Sequence, residues 1–507
     1  MSNPLFDRLL APHAGRSTPF LLLPGGETVT WSDFLDRSAR IANAVSALGL
    51  SPGDRLAAQV AKSADALALY VACLRAGLVF LPLNTAYTDE ELDYFVQDSR
   101  ARMLVCDPAR QEGAGRIATA AQAHVETLGA SGDGSLAAAA DGQSADHVPV
   151  PRAQDDLAAL LYTSGTTGRS KGAMLTQGNL LSNAMALAEA WRFTDGDVLL
   201  HALPIFHIHG LFVATNVTLA AGGSMIFQPK FDMDMLVEDL PRATAMMGVP
   251  TFYTRMLEDP RVAPDLVRNV RLFVSGSAPL LADTHVAFEA RTGHRILERY
   301  GMTETGMIAS NPHDGERRAG TVGHPLPGVE VRIADPGCGN TLPDGDIGRI
   351  EVRGPNVFSG YWNMPEKTAD EMREDGFFIT GDLGRFDSDG YLSIVGRDKD
   401  LIISGGYNIY PKEVELVLDD QPGVLESAVI GVPHPDFGET PIGLLVPAMD
   451  GKINIDLVTA AVQAKLARFK HPRRLIVVES LPRNAMGKVQ KNQLRLEFQD
   501  LFTQETA

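Results

Sequence analysis

Cysteine is scarce, with three in 507 residues. Cys73, Cys106 and Cys338 form no C-x-x-C pair, which excludes a disulfide framework and suits a reducing compartment. All three are expected to be buried small apolar residues. Basic residues are also in deficit, 45 against 63 acidic, for a net charge of −18. That balance argues against a phosphate-tracking nucleic-acid surface, so any anionic ligand must meet local positive charge. No long hydrophobic run is free of polar residues. The most apolar stretch, 201–223, carries His201, Pro204, His207, His209, Gly210 and Asn216, and is read as buried core beside a site rather than a bilayer span. The N-terminal Met1-Ser2-Asn3-Pro4-Leu5-Phe6-Asp7-Arg8 lacks the positive-then-apolar pattern of a leader. A cytoplasmic protein with no membrane or nucleic-acid partner is expected, and no period of 20–50 residues points to a solenoid.

What is present is alternation. The run Phe20-Leu21-Leu22-Leu23 is followed by Thr30, placed to cap a helix with Phe34, Ile41, Val45 and Leu48 on one face until Gly49 stops it. An extended run at 56–60, a helix at 64–75, an apolar run at 79–83, the capping box Thr88-Asp89-Glu90-Glu91 and a strand at 101–106 follow. This predicts an α/β fold with helix-wrapped parallel sheets. Residues 129–146, rich in Ala, Gly, Ser and Asp without periodicity, predict a solvated surface loop. Strands are expected at 197–202, 225–228, 245–249 and 272–275, then a β-rich part at 329–333, 349–353 and 391–395. After Gly396-Arg397-Asp398-Lys399-Asp400 the pattern changes to helix 412–420, strands 427–432 and 442–446, helix 457–469 and strand 475–479. Such a chain exceeds one hydrophobic core. The expected organisation is a large N-terminal domain, 1–396, and a small α+β domain, 397–507.

The chain is punctuated by Tyr162-Thr163-Ser164-Gly165-Thr166-Thr167-Gly168-Arg169-Ser170-Lys171-Gly172, after the apolar run 157–161. Glycines let backbone N–H groups converge, hydroxyls add donors and Lys171 supplies countercharge, which suits a phosphate. The loop is not G-x-x-x-x-G-K-[ST], because the second-glycine position, Gly165 plus five, falls on Ser170, and Gly172 rather than Ser or Thr follows the lysine. Read alone it could equally be a flexible turn.

Further clusters stand at strand ends: Gly276-Ser277-Ala278-Pro279, Tyr300-Gly301-Met302-Thr303-Glu304, Thr380-Gly381-Asp382, Gly396-Arg397 and Gly487-Lys488. Together with the loop, in this order and over nearly the whole chain, they resemble the adenylate-forming enzymes: acyl-CoA synthetases, luciferases and peptide-synthetase adenylation domains. The resemblance implies an ATP-dependent ligase in which residues 1–396 bind ATP and acid while 397–507 form a mobile domain with the catalytic lysine. Thr163, Ser164, Gly165, Thr166, Thr167, Gly168 and Lys171 would hold the β- and γ-phosphates. Tyr300 would pack on adenine beside Gly276, Ser277 and Ala278, with Gly301, Met302 and Thr303 following. Asp382 would take the ribose hydroxyls, Arg397 would support ribose or phosphate, and Glu304 would hold Mg²⁺. Lys488 would neutralise charge where carboxylate and α-phosphate meet, joined in catalysis by Lys171, Thr163 and Glu304. Lys399 would be the pivot between two domain poses, and Ser404, Gly405, Gly406 and Tyr407 would line the CoA tunnel in the second. Acetylation of Lys488 by a lysine acetyltransferase, reversed by a deacetylase, would remove its charge.

The acid is expected near Pro204-Ile205-Phe206-His207-Ile208-His209-Gly210 and Arg299. A guanidinium suits a second carboxylate, since Arg forms paired hydrogen bonds with it. Ser277, His207 and His209 are further candidates for this substrate. These stretches are similar to the malonyl-CoA synthetase branch, with methylmalonate also accepted because one methylene discriminates weakly. Alternatively Arg299 pairs with Glu298 or another acid and supports the turn, and the substrate is another small or medium acid. A peptide-synthetase module would carry a carrier domain after the small domain, and a luciferase would need a luciferin pocket. An ATP-binding kinase or regulator is the rival from another class. AMP and diphosphate as products would mark a ligase; ADP would mark a kinase.

Overall fold

A computed structural model describes residues 2–163, 170–404, 407–448, 451–484 and 487–502. The chain divides into two compact units, 1–330 with 352–378 and 331–351 with 379–507. The first contains two sheets. In the six-stranded sheet the order is His124–Thr127, Met103–Cys106, Arg55–Gln59, Val79–Pro82, Leu157–Thr163 and Lys171–Thr176. Only the last pair is antiparallel. The nine-stranded sheet runs His324–Pro325, Gly306–Ser310, Leu297–Met302, Leu272–Ser275, Ala245–Gly248, Val198–His201, Ser224–Phe227, Pro19–Leu22 and Thr28–Thr30. It is parallel in the middle and antiparallel at both edges.

The alternation has the physical origin expected of it. Thr30 caps the helix Trp31–Ala47 through a reciprocal box with Asp33, and Thr88 caps Asp89–Ser99 with Glu91 in the same way. Helix Ala64–Ala76 is buried from Ala66 to Ala76 and is apolar on nearly every face, the exception being Arg75, whose guanidinium donates to Ser38 Oγ and the Leu35 carbonyl. The fold is of the α/β class, with a large N-terminal part and a smaller C-terminal one.

Two expectations fail. Within 129–146 a helix, Ser135–Asp141, replaces part of the surface loop, with Leu136, Ala137 and Ala140 buried. Those three spaced residues cover one helical face, too short a stretch to register as periodicity, and Arg37 pairs with Asp141 at 2.6 Å to hold the helix end. Cys73 and Cys106 are buried as expected, but Cys338 is exposed. It lies in a turn where Asp335 accepts the Gly337 and Cys338 N–H groups, each at 2.8 Å, so local polar bonding decides its position.

The second unit holds most of the four-stranded sheet Glu330–Ala334, Gly348–Arg353, Phe378–Phe386 and Leu392–Arg397. It also holds the sheet Tyr407–Ile409, Ile402–Ser404, Gly438–Pro447 and Val424–His434, with Arg474–Val477 parallel to Gly438–Pro447. Ion pairs Arg349–Asp398 at 2.5 Å and Arg495–Asp400 at 2.6 Å join the stretch after Arg397 to both sequence neighbourhoods of this unit. By packing, therefore, the β-rich strands before residue 397 group with the residues after it. Among the described residues no helix is long and apolar enough to cross a membrane.

Candidate active site

In the first unit the predicted residues gather at the carboxyl ends of parallel strands, where side chains and loops leave an α/β sheet. Leu272–Ser275 runs into Gly276, Ser277 and Ala278, and its neighbour Leu297–Met302 carries Arg299, Tyr300, Gly301 and Met302. Val198–His201 leads to the turn that bears His207 and His209. Ser277 has φ of +73°, a conformation that non-glycine residues hold only where the surroundings impose it.

Arg299 is only 5% exposed. Its Nε and Nη2 have no hydrogen-bond partner among the described residues, and no acid there lies at ion-pair distance. Burial lowers its pKa to about 9, opposed by nearby Tyr253, so the guanidinium stays charged at neutral pH. It lies against Gly276, where a Cβ would sit 2.3 Å from the guanidinium carbon. The glycine is thus required by close approach of the cation. Glu298, the neighbour in sequence, points to the other face of the strand, 3.4 Å from His285 Nδ1. The alternative in which Arg299 pairs with Glu298 is thereby set aside.

His209 is fully buried, and its Nδ1 lies 3.1 Å from Ser277 Oγ. Its Nε2 is without a partner among the described residues. Burial, then the charge of Arg299 and the neighbouring His207 and His201, holds its pKa well below the usual imidazole value. The His209 N–H donates to His207 Nδ1 at 3.3 Å. Arg299, His209 and Ser277 therefore share one neighbourhood, with half-buried His207 beside it.

A second cluster surrounds Lys171. Thr163 and Lys171 face each other across the antiparallel pair that brackets the loop, with Thr163 Oγ1 at 3.5 Å from the Lys171 carbonyl. Ser164, Gly165, Thr166, Thr167 and Gly168 lie outside the described residues. Lys171 Nζ is 3.3 Å from Glu371 and 4.0 Å from the Tyr361 ring centre. Tyr361 OH reaches Glu371 Oε2 at 2.6 Å and Glu304 Oε1 at 3.1 Å. Burial raises the Glu304 pKa, partly offset by hydrogen bonds and by Lys171. Tyr361, Glu371 and Lys367, which pairs with Glu371 at 2.9 Å, went unnoticed in the sequence. Their signal was weak: the Gly360-Tyr361-Trp362 triplet and a charge-rich helix. Antiparallel pairing of 359–362 with 172–174, through the Ala173–Tyr361 bridge and the Trp362 N–H to Gly172 carbonyl bond at 2.7 Å, brings them to Lys171.

Tyr300 pairs with Ala309 at a bulge before Gly301, where a Cβ would meet the Gly306 carbonyl at 2.2 Å. Met302 pairs with Gly306, so Thr303 and Glu304 sit in the connecting turn. Among the described residues no group of three His, Cys, Asp or Glu could hold a metal ion. The donor set fits a single buried carboxylate, Glu304, acting together with phosphate oxygens, which is how Mg²⁺ is commonly held.

The remaining candidates belong to the second unit. Asp382 and Arg397 oppose each other on antiparallel strands, with Nε and Oδ1 at 2.9 Å. Thr380 Oγ1 accepts the Asp382 N–H at 3.1 Å, which fixes the carboxylate-bearing turn. Lys399 lies exposed in the short turn Asp398–Asp400. Ser404 pairs with Tyr407, which is 59% exposed and stacks on Phe469 at 4.8 Å; Gly405 and Gly406 lie outside the described residues. Lys488 is exposed at the end of a turn in which Asn484 and Lys488 exchange 3.0 Å hydrogen bonds around Gly487, whose φ is +75°.

Residues 12–362 match the family described as AMP-binding enzyme, and residues 413–488 match the AMP-binding enzyme C-terminal domain. The chain belongs to the AMP-binding enzyme family. With the family comes the class that the motifs imply, an ATP-dependent acid–thiol ligase. A family member of known structure, ATP-bound MatB from Rhodopseudomonas palustris, is 55% identical, covers 99% of this chain and 100% of its own, and superposes with a TM-score of 0.97. A feruloyl-CoA synthase of an Amycolatopsis species is 38% identical over 98% of each chain. The malonate–CoA ligase of Arabidopsis thaliana is 36% identical over 89% of this chain and 79% of its own.

Proposed function

We propose that the chain is a malonyl-CoA synthetase, turning malonate, ATP and CoA into malonyl-CoA, AMP and diphosphate, with methylmalonate also accepted. One observation carries the substrate: the buried Arg299 guanidinium, with Nε and Nη2 unpartnered and no balancing acid among the described residues. An isolated buried charge is costly, and a second carboxylate on the substrate supplies both its countercharge and its hydrogen bonds. His209 and Ser277 stand beside it to receive the same group. Similarity to a malonate–CoA ligase supports the same acid.

The other carboxylate of malonate attacks the α-phosphorus of ATP in line with the leaving diphosphate, which gives malonyl-AMP. The CoA sulfur then attacks the acyl carbon and AMP departs. In the first step the work is positioning and charge neutralisation. Thr163, the loop 164–168 and Lys171 hold the β- and γ-phosphates. Tyr300 and the 276–278 backbone hold adenine, Asp382 the ribose, and Arg397 the ribose or phosphate. Glu304 would hold Mg²⁺, which supplies positive charge to phosphate oxygens. Lys488 lowers the repulsion between the two anions as they meet. Residues 397–507 are the mobile domain, pivoting at Lys399 to bring Ser404, Gly405, Gly406 and Tyr407 to the pantetheine chain. Exposed Lys488 would lose its charge on acetylation. The compartment is the cytoplasm, in keeping with the two buried free thiols.

The test is a panel of acetate, malonate, methylmalonate, succinate and long-chain acids with ATP and CoA, reading AMP, diphosphate and thioester. Malonate should have the highest kcat/KM. Acetate or a long-chain acid in first place would replace the substrate by another small or medium acid, and ADP formation would remove the ligase reading.

A further inference from the structure

Lys62 is not among the motifs. It follows the strand Arg55–Gln59 of the six-stranded sheet and reaches His201, the last residue of Val198–His201 in the nine-stranded sheet. Its Nζ lies 2.8 Å from His201 Nδ1, 2.7 Å from the His201 carbonyl and 4.3 Å from the centre of the Phe227 ring. A carbonyl can only accept, so the proton of the neutral imidazole sits on Nε2, which faces the Gly210 carbonyl, and His201 Nδ1 accepts from Lys62. That Nε2 is 2.9 Å from the Gly210 carbonyl and donates to it.

Gly210 lies in the π-helical turn His209–Thr215, a wide turn that places side chains where an α-helix would not. A Cβ on Gly210 would meet the Pro204 carbonyl at 2.0 Å, and the Gly210 carbonyl also accepts from Thr215 Oγ1 at 3.0 Å. The turn is thus clamped on both sides next to His209. No acid among the described residues forms an ion pair with Lys62, and burial lowers its pKa well below the ordinary lysine value. Lys62 lies against His201, and the charges acting on His201 and His209 come from Lys62, Arg299 and other imidazoles, with no carboxylate among them.

We propose that Lys62 is a positioning and specificity-determining residue for a dianionic acid. Through His201 and the Gly210 carbonyl it fixes the turn that aims His209 into the acid pocket, and its uncompensated charge adds to that of Arg299. A nearby second carboxylate in turn favours the charged form of Lys62. A monocarboxylate gains nothing from this arrangement. The inference rests on the malonate reading above.

The test compares kcat/KM for malonate and for acetate in the wild type, Lys62→Met, Lys62→Gln and Lys62→Arg. Gln keeps a donor for the His201 carbonyl, so it removes the charge even where Met fails to fold, and acetate turnover reports folding. The malonate-to-acetate ratio should fall about tenfold in Lys62→Gln, chiefly through KM for malonate, as expected when one of two cations acting on a dianion is removed at intermediate dielectric. The KM for ATP should not move, and Lys62→Arg should recover most of the ratio. An unchanged ratio in Lys62→Gln, or equal losses for both acids, overturns the inference and leaves malonate as substrate. A wild type that shows no preference for malonate overturns the substrate reading and this inference with it.

Discussion

The guanidinium of Arg299 is solvated by nothing that the described residues provide on Nε and Nη2, so its energetics depend on the ligand. Arg299→Ala should lower kcat/KM for malonate by about 100-fold, the size expected for losing a buried charged pair, while KM for ATP stays within about twofold. Parallel losses for malonate and acetate would contradict the assignment. Gly276→Ala tests the same contact without removing the charge. The added methyl would sit 2.3 Å from the guanidinium carbon, so malonate turnover should fall while the melting temperature changes little. At the proposed phosphate end, the Tyr361 hydroxyl joins Glu304 to Glu371. Tyr361→Phe should raise KM for Mg·ATP about tenfold, a hydrogen bond to a charged group being worth ~1.5–3 kcal/mol. KM for malonate should hardly change, and a reverse pattern in initial-rate kinetics would remove Tyr361 from the phosphate end.

At the scale of elements, the long amphipathic or capped segments were legible because local chemistry dictates them. Thr30 forms its predicted cap and Thr88 its predicted box, as they can in any context that leaves the helix end open. Helix Ser135–Asp141 was not legible, since seven residues rich in alanine show no face until a core lies beneath them. Its stability comes from that burial. Leu136→Ala should therefore cost about 2–5 kcal/mol and lower the melting temperature in calorimetry by several degrees. A loss below about 0.5 kcal/mol would restore the surface-loop reading. The π-helical turn His209–Thr215 was likewise hidden, because its sequence reads as continuous buried core.

For the whole molecule, the two half-reactions make different demands on Lys488, which the proposed mobile domain carries. Lys488→Ala should nearly abolish malonyl-AMP formation yet leave thioester formation from supplied malonyl-AMP within a few-fold, since in the second step the sulfur attacks an uncharged acyl carbon and no carboxylate has to approach a phosphate. Single-turnover assays of each half-reaction check this. Equal loss in both would argue against two poses of residues 397–507.

The order of motifs along the chain was enough to establish the family and the α/β class, because phosphate loops, caps and strand alternation are written within a few residues of one another. Arg299 was legible as a cation next to Tyr300. That it is buried, unpaired and cradled by Gly276 follows from strands 23 residues apart lying in register, Ser275 opposite Glu298. The links Tyr361–Glu304 and Lys62–His201 span 57 and 139 residues. No local pattern can announce such contacts, since they exist only once the sheets have closed and excluded water from the groups between them.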